Sequence, residues 1–296
     1  MIHIPVLLEK VIEYLAPKKN ENFVDCTVGL GGHSFEILKR NGPKGKVLGI
    51  DKTEELIEKI KVKIKSLKME KRFIVVCDNF INLKKIVKRY HFFPINGILF
   101  DLGMSSWHLE ESKMGFSFKN DEALLMTFSK KEEITAKDIL NNFSEIEIRQ
   151  ILKDFSQEKF AFQIARKIIE FRKKKKIETT TDLLEILKKA TPKWYQKRKR
   201  HFATKTFQAL RIAVNNELIN LQKVLPLAFE VLEKGGRLII ISFHSLEDRI
   251  VKNFFKKMAI ENRAKIITKK PIIPSIEEVK INPKSRSAKL RALIKL

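Results

Sequence analysis

The sequence predicts an α/β protein, with a doubly wound, mainly parallel sheet that is interrupted by a helical insert. Over the first hundred residues, apolar strand-like runs alternate with amphipathic helical segments. The alternation stops at about residue 122 and resumes with another apolar run at 237–243. Such alternation implies right-handed crossovers and parallel strands with helices on both faces. We therefore expect a discontinuous sheet domain, residues 1–118 and 203–296, and a helical insert domain, residues 119–202.

The first part of the sheet domain is predicted to contain four strands and three intervening helices. Short apolar runs rich in β-branched residues predict the strands, and apolar residues at helical spacing predict the helices. The carboxyl ends of parallel strands share one edge of a sheet, which is where doubly wound proteins bind ligands. The predicted strands are 22–28, 46–51, 73–77 and 95–102, and the predicted helices are 32–40, 54–67 and 80–90.

The insert shows helical patterns and no convincing strand. Two capping boxes, which begin at Thr135 and Ser144, predict the first turns of two helices. An apolar stripe over 160–171 predicts a third helix, and a fourth is expected to begin at a Thr181 cap and end at Ala190.

The chain is expected to return to the sheet through one long helix, Thr204 to about Leu232. The run 237–243 then has the length and composition of a buried strand, and Ser245 is expected to cap the helix that follows it. Two β-like segments, 264–272 and 288–296, are expected to pair antiparallel at the edge of the sheet.

His244 lies between this last parallel strand and its helix, in the stretch ISFHSLEDRI. Two interpretations are open: a ligand-facing residue at the edge of the sheet, or a residue of the turn with no further role. We favour the first, because Ser245 alone would satisfy the helix cap.

The strand-to-helix turn DCTVGLGGHS indicates a ligand site at the first strand. Gly29, Gly31 and Gly32 would let the backbone bend tightly and approach a ligand. Asp51 ends the next strand, 19 residues after Gly32, about where a carboxylate reaches the ribose hydroxyls of a nucleoside. A turn without a ligand and a helix-capping aspartate are the alternatives.

The same turn bears on which nucleoside cofactor is bound. A dinucleotide fingerprint that starts at Gly29 would need a third glycine at position 34, where the chain has Ser34. This favours S-adenosylmethionine, which has no pyrophosphate, over NAD. An NAD-dependent dehydrogenase stays as a third functional hypothesis.

The charge of the chain predicts a polyanionic partner. It has 60 basic and 35 acidic residues, a formal net charge of +25, which is far more than solubility requires. Nucleic acid is the first candidate and an anionic membrane the second. Residues 157–205 hold sixteen basic and five acidic residues, so the contact is expected on the insert.

Within the insert, the segment KWYQKRKRH combines aromatic and basic residues. Trp194 could stack on an unpaired RNA base while Lys197, Arg198, Lys199 and Arg200 hold phosphates. Alternatively, Trp194 packs in the core beside a solvated run of charges.

The remaining composition predicts a cytoplasmic protein without a bound metal. Cys26 and Cys77 lie in apolar runs and are expected to be buried thiols, and no Cys/His motif indicates a metal site. The first residues contain Glu9 and Glu13 and lack the features of a signal peptide. No run of about 18 uncharged apolar residues predicts a membrane span.

Seven ordered blocks, spread nearly end to end, resemble the bacterial family that methylates the exocyclic N4 of a cytosine in the decoding region of 16S rRNA. The resemblance implies a Rossmann-like class I methyltransferase sheet with a helical insert and S-adenosylmethionine as cofactor. It also implies 16S rRNA in the small ribosomal subunit as partner, and neither DNA nor a membrane. The blocks are HIPVLLEKVIEYL, DCTVGLGGHS, GID, DLGMSSWHLEESKMGFSF, ATKTFQALRIAVNNEL, ISFHSLEDRIVK and NPKSRSAKLR.

The resemblance also implies the site residues. At His108 the family usually has glutamine, and histidine can still donate or accept a hydrogen bond. Phe80 could line an adenine pocket or be a plain core residue. By their positions at the ends of predicted strands, and not from the resemblance, Asp101 is the first candidate for accepting the amine hydrogens, although it could serve only the cofactor, and His244 is the second catalytic candidate. The cofactor contacts carried over are Gly31, Gly32, His33, Asp51, Phe80, Asp101 and His108.

One segment departs from the family. The chain has ALLMTFS at 123–129 where the family usually has Pro-Leu-Asp-Met-Arg-Met-Asp. If the missing charged residues order the substrate loop, catalysis could be weakened. The alternative function is therefore an RNA-binding ribosome assembly factor of the same fold with little or no activity.

Overall fold

The computed structural model describes residues 4–296, and it confirms the predicted α/β class. The described residues divide into two compact units, a sheet unit of residues 4–103 and 218–296 and a helical unit of residues 104–217. The strands are β1 (Phe23–Asp25), β2 (Val47–Asp51), β3 (Phe73–Cys77), β4 (Gly97–Asp101), β5 (Arg237–Ser242), β6 (Ala264–Ile266) and β7 (Lys289–Lys295). The helices are α1 (Leu8–Leu15), α2 (Gly32–Arg40), α3 (Glu54–Ser66), α4 (Leu83–Arg89), α5 (Ser106–Glu110), α6 (Ala136–Asn142), α7 (Glu145–Ser156), α8 (Ala161–Arg172), α9 (Thr180–Ala190), α10 (Lys193–Gln196), α11 (Thr204–Asn215), α12 (Glu217–Val231), α13 (Ser245–Ile260) and α14 (Ile276–Ile281), with short 3-10 helices at Phe80–Asn82 and Pro283–Ser287.

The sheet has seven strands in the order β3-β2-β1-β4-β5-β7-β6. The first five are parallel, and β7 pairs antiparallel with both β5 and β6. The expected antiparallel pair is therefore present, with β6 at the edge. The strand order reverses between β1 and β4, so the ends of these two strands flank the switch point where ligands bind in such sheets.

Two apolar cores cover the two faces of the sheet, as the alternation predicts. Along β5, Leu238 and Ile240 belong to one core, and Ile239 and Ile241 belong to the other. Each side chain is at most 1% exposed, and full burial of one such residue contributes roughly 1.5–3 kcal/mol. The continuous apolar run thus reflects a strand that is buried on both faces.

The helical unit has its own apolar core, formed by residues of α6 to α11 and the loop before them. The two predicted capping boxes at Thr135 and Ser144 are present. The predicted cap at Thr181 is wrong: Thr179 caps α9, because its side chain accepts from the backbone N–H of Asp182, and Asp182 accepts from the N–H of Thr179 in return. Thr181 is only one residue before Asp182 and cannot complete this box.

The prediction of one helix from Thr204 to about Leu232 is also wrong. Asn216 adopts the left-handed conformation (φ 52°, ψ 35°) and separates α11 from α12. Asparagine is one of the few residues that adopt this conformation readily. Apolar periodicity continues across the break, which is why the pattern gives no sign of it.

Two further local predictions need correction. The side chain of His244, not that of Ser245, caps α13, and Glu247 completes the capping box. Cys26 is buried as expected, but Cys77 is exposed, because it ends β3 at the open edge of the sheet. Across the described residues, every helix is too short or too polar to cross a lipid bilayer.

Candidate functional site

The glycine turn after β1 has the strained geometry that glycine permits. Gly31 has φ 78° and forms the N-cap of α2. A Cβ on Gly32 would lie 2.3 Å from Cγ of Pro5. The turn therefore needs glycine for both backbone conformation and close packing, and it presents the amino end of α2 at the carboxyl edge of the sheet.

Asp51 holds this turn in place. Its Oδ2 accepts a hydrogen bond from the Gly29 N–H (2.9 Å), and its Oδ1 accepts from the Thr53 N–H (3.0 Å). Burial raises the pKa of Asp51, although these backbone bonds oppose the shift. Asp51 thus links the glycine turn to the first residues before α3, and its assignment to a ribose remains a prediction.

Asp25 is a buried acid of the site that the sequence reasoning missed. Its carboxylate accepts from Ser34 Oγ (2.7 Å) and from the Thr27 N–H (3.2 Å). Burial raises the pKa of Asp25 to about 6, and the nearby Asp51 adds to the shift. The available signal was its position as the last residue of β1, directly before the glycine turn.

Asp101 ends β4 beside these acids. Its backbone N–H donates to Thr27 Oγ1 (2.7 Å), which fixes the end of the strand. Among the described residues, its buried Oδ1 atom has no hydrogen-bond partner. Burial raises the pKa of Asp101 well above its usual value, and the charges of Asp25 and Glu247 raise it further. A buried polar atom without a partner is rare and indicates a position that a ligand can satisfy.

His33 lies on α2 opposite Asp101. The imidazole Nε2 is 2.9 Å from the carbonyl oxygen of Val6, and Nδ1 is 3.9 Å from Asp101 Oδ2. The residue is only 6% exposed. His33 is thus placed among the carboxylates rather than in solvent.

His244 forms the turn before α13, and its contact with a ligand stays a prediction. Its Nδ1 accepts from the Glu247 N–H (3.4 Å), so the residue does form the turn. Its buried Nε2 lies 3.3 Å from Glu247 Oε1 without hydrogen-bond geometry, and within residues 4–296 it has no hydrogen-bond partner. The cap thus involves only one of the two ring nitrogens.

Phe80 is partly buried after β3. Its ring packs edge to face on Phe100 with centroids 5.6 Å apart, and it contacts one of the sheet cores. The packing role that the sequence left open is present, and the adenine contact stays a prediction.

His108 belongs to the helical unit. Its Nδ1 accepts from the Ser105 N–H (3.2 Å), so a neutral ring carries its proton on Nε2. The rings of Trp107, Phe116 and Phe128 surround it at centroid distances of 5.3, 5.2 and 4.9 Å. The predicted cofactor contact of His108 is not tested by the geometry of the sheet unit.

The segment 123–129 is held without the charged residues that the family usually has there. Asn215 accepts from the Phe128 N–H (2.9 Å) and donates to the Met126 carbonyl (2.7 Å). Phe128 also stacks on Phe116, with ring centroids 5.3 Å apart. Backbone hydrogen bonds and aromatic packing therefore order this segment.

The basic segment of the helical unit carries an exposed aromatic residue. Trp194 is 55% exposed, so the alternative in which it packs in the core is wrong. The Arg198 guanidinium lies 4.9 Å from its ring centroid and 5.3 Å from that of Tyr195. A hydrogen bond holds Tyr195 in place, since its hydroxyl donates to the buried Glu158 at 2.8 Å.

The sheet unit therefore brings together four acids and two histidines at the carboxyl ends of β1, β2, β4 and β5. The clustered carboxylates favour a bound cation, because they repel one another when they are all ionised. His108 and the predicted RNA contacts lie in the helical unit, and the latter are all exposed: Trp194, Lys197, Arg198, Lys199 and Arg200.

Comparison with known proteins gives a match over the whole chain. A family model described as the MraW methylase family matches residues 1–296. The protein named ribosomal RNA small subunit methyltransferase H of Sulfurihydrogenibium azorense is 45% identical over 294 residues, which are 99% of each chain. Proteins of that name from Clostridioides difficile and Dictyoglomus thermophilum are 42% and 45% identical, and the matches cover 99% and 95% of those proteins and 99% and 98% of this chain.

Proposed function

The chain belongs to the MraW methylase family, and from this membership we propose that it is an S-adenosylmethionine-dependent methyltransferase of small-subunit rRNA. The methyl acceptor is the exocyclic N4 of a cytosine in the decoding region of 16S rRNA. The family match confirms the resemblance of the seven sequence blocks. The observation that carries the proposal is the group of carboxylates at the carboxyl ends of β1, β2 and β4: Asp25, which is buried, and Asp51 and Asp101, which are partly buried.

The residues of this edge fit a cationic nucleoside. S-adenosylmethionine supplies a methyl group on a positively charged sulfur. Gly31, Gly32 and His33 lie where the backbone can approach its amino-acid end, and Asp51 is the acid for the ribose. The positive charge offsets the repulsion among the acids, a benefit that a neutral ligand does not give.

Phe80 and His108 complete the proposed cofactor contacts. Phe80 is the proposed contact for the adenine, and His108 takes the place of the usual glutamine. The hydrogen bond from the Ser105 N–H favours the Nε2–H form of His108, so this side chain would donate as a glutamine amide does.

The chemistry requires alignment more than it requires a strong nucleophile. The N4 lone pair is delocalised into the cytosine ring, so the amine must be held in line with the methyl group. Positioning of this kind can supply roughly 7–11 kcal/mol. The unpartnered Oδ1 of Asp101 is the proposed acceptor for an amine hydrogen as positive charge develops on nitrogen. His244 Nε2 is the second polar atom available to the target base or its phosphate.

The helical unit supplies the proposed RNA contact. The Trp194 ring offers a stacking face for an unpaired base, and Lys197, Arg198, Lys199 and Arg200 offer cations to phosphates. Tyr195, anchored on Glu158, keeps the tryptophan and arginine side by side. Since the substrate is ribosomal, we place the activity in the cytoplasm.

The two other hypotheses are not favoured. A nicotinamide dehydrogenase does not agree with membership of a methylase family. The assembly-factor hypothesis rested on the altered segment 123–129, and the order that Asn215 and Phe128 give this segment supports an active enzyme.

The test is methyl transfer from labelled S-adenosylmethionine to small ribosomal subunits that lack the modification. We expect label on one cytosine N4, located by nuclease digestion and mass spectrometry, and strongly reduced label with Asp101→Asn. Label on another atom would refute the N4 assignment. RNA binding without any transfer would instead support the assembly factor.

A further inference from the structure

We infer that His33 receives, through Asp101, the proton that the substrate amine loses during methyl transfer. This inference rests on the proposed function and adds to it the residue that takes up the proton. Its basis is the arrangement of three groups in the sheet unit: the Val6 carbonyl, the His33 ring and the Asp101 carboxyl.

The Val6 carbonyl fixes the tautomer of His33. A carbonyl oxygen only accepts hydrogen bonds, so the Nε2 atom at 2.9 Å must carry a hydrogen. In the neutral ring, Nδ1 is then the basic nitrogen. His33 is thus oriented with its basic atom toward Asp101 and its N–H toward the backbone, as a proton acceptor requires.

The two oxygens of Asp101 have different surroundings. Oδ2 lies 3.9 Å from Nδ1 of His33, which is longer than a hydrogen bond. Oδ1 is buried and unpartnered within the described residues. Bonds of this kind are often long in the free enzyme and tighten when substrate binds. Asp101 can therefore face the amine with one oxygen and His33 with the other.

The acids around Asp101 and His33 favour a positive charge on the His33 ring. Asp101 on β4 is faced by Asp25 from β1 and by Glu247 from α13, both of which raise its pKa, and Asp51 on β2 lies beyond Asp25. An Asp101 that carries a proton on Oδ2 can donate it to His33. The imidazolium formed would then be surrounded by carboxylates.

The step balances in atoms and charge. The N4–carbon bond forms as the carbon–sulfur bond breaks, and the electron pair of the broken bond stays on sulfur, which becomes a neutral thioether. The methylated nitrogen gives a proton to Oδ1 of Asp101, while the proton on Oδ2 moves to Nδ1 of His33. One positive charge thus passes from sulfur to nitrogen to His33, and it leaves as a proton to solvent after turnover.

The experiment compares His33→Gln with wild type and with His91→Gln, an exposed histidine that serves as the matched control. Glutamine can still donate to the Val6 carbonyl but cannot take up a proton. We expect single-turnover transfer to fall about 10²–10³-fold, in the range of general acid–base catalysis. Cofactor affinity by calorimetry should change less than about threefold, because the proposed cofactor contact of residue 33 is through its backbone. In His33→Ala, which leaves a space for it, added imidazole should restore part of the rate. The wild-type rate should fall in acid with a one-proton slope that His33→Gln lacks.

A second measurement does not depend on activity. In enzyme labelled with ¹⁵N-histidine and free of RNA, the nitrogen shifts should give the Nε2–H tautomer for His33. Asp101→Asn should move the Nδ1 signal of His33 and leave that of His91 unchanged. An Nδ1–H tautomer would overturn the inference even if the His33 variant failed to fold.

The remaining outcomes separate this inference from the proposed function. N4 methylation at an unchanged rate and pH profile in His33→Gln would overturn the role of His33 alone. If replacement of His33 lowered the rate and the cofactor affinity in parallel, and imidazole did not restore the rate, the His33 side chain would only contact the cofactor and the inference would be overturned. Methyl transfer to an atom other than N4 would refute the proposed function, which product mapping detects independently of the rescue and the pH profile.

Discussion

Asp25 should destabilise the protein at neutral pH when no cofactor is bound. Its pKa is raised from 3.8 to about 6, because its carboxylate is buried next to another acid. A difference of this size corresponds to about 3 kcal/mol of unfolding free energy. Because the folded state holds its proton more tightly than the unfolded state, the penalty is absent below pH 3.8. It grows as the pH rises through the pKa of the folded state and is complete above about pH 6.

The assay is urea unfolding of wild type and Asp25→Asn between pH 4.5 and 7.5, without cofactor. About a third of the penalty is already present at pH 4.5, so we expect the stability difference between variant and wild type to rise by about 2 kcal/mol in favour of the variant across this interval. Taking the difference cancels the titration of the other groups, apart from small responses of neighbouring acids. If Asp25→Asn also loses the hydrogen bond from Ser34, the stability difference changes by the same amount at every pH, and its dependence on pH is unchanged.

Asp248 gives the matched control with the opposite sign. The Arg291 guanidinium and Lys289 hold the pKa of Asp248 below its usual range, despite its partial burial. Its contribution to stability is therefore present at neutral pH and lost as the pH falls. Because the pKa of Asp248 is lowered from 3.8, Asp248 is ionised in both the folded and the unfolded state between pH 4.5 and 7.5, and the stability difference of Asp248→Asn should be nearly flat there. An Asp25→Asn difference as flat as that of Asp248→Asn would refute our account of the buried acid.

Three further predictions concern the site and the RNA surface. Asp51→Ala should weaken S-adenosylmethionine binding at least about tenfold in calorimetry, since a charged hydrogen bond is worth roughly 1.5–3 kcal/mol; unchanged affinity would remove the ribose assignment. Replacing Lys197, Arg198 and Lys199 with alanine should reduce the slope of log affinity against log salt by about 2, as expected for three lost phosphate contacts on single-stranded RNA. An unchanged slope would place the RNA contact elsewhere. Asn215→Ala should lower the unfolding free energy by about 1–3 kcal/mol, because it leaves backbone groups of the neighbouring segment unpaired; a loss below about 0.5 kcal/mol in urea unfolding would contradict this.

The sequence was most informative about the sheet, because burial on both faces leaves an unmistakable apolar run. The apolar run from Leu238 to Ile241 predicts a buried strand. Because the alternation of strands and helices predicts parallel strands, the acids that end β2 and β4 could be placed at the same edge of the sheet. The glycine turn could also be predicted, since its backbone conformation is one that few other residues adopt.

Contacts between distant segments could not be predicted in this way. The proximity of Asp25 to Asp101 depends on which strands are neighbours, and a single sequence does not fix strand order. The break at Asn216 comes from one residue in the left-handed conformation, which apolar periodicity does not register. The cap of α13 shows the same limit: serine is the commoner cap, and the side chain that the fold places in position is that of His244.

The position of β7 has a consequence for how the protein is made. It is the last strand in chain order, yet it lies inside the sheet, hydrogen-bonded to β5 on one side and β6 on the other. While a ribosome is still synthesising the chain, β5 has one open edge, and the helical residues 104–217 have already been released to fold around their own core. Sheet closure therefore waits until residues 289–295 have left the ribosome, and the nascent protein is most exposed to strand-to-strand aggregation in that interval.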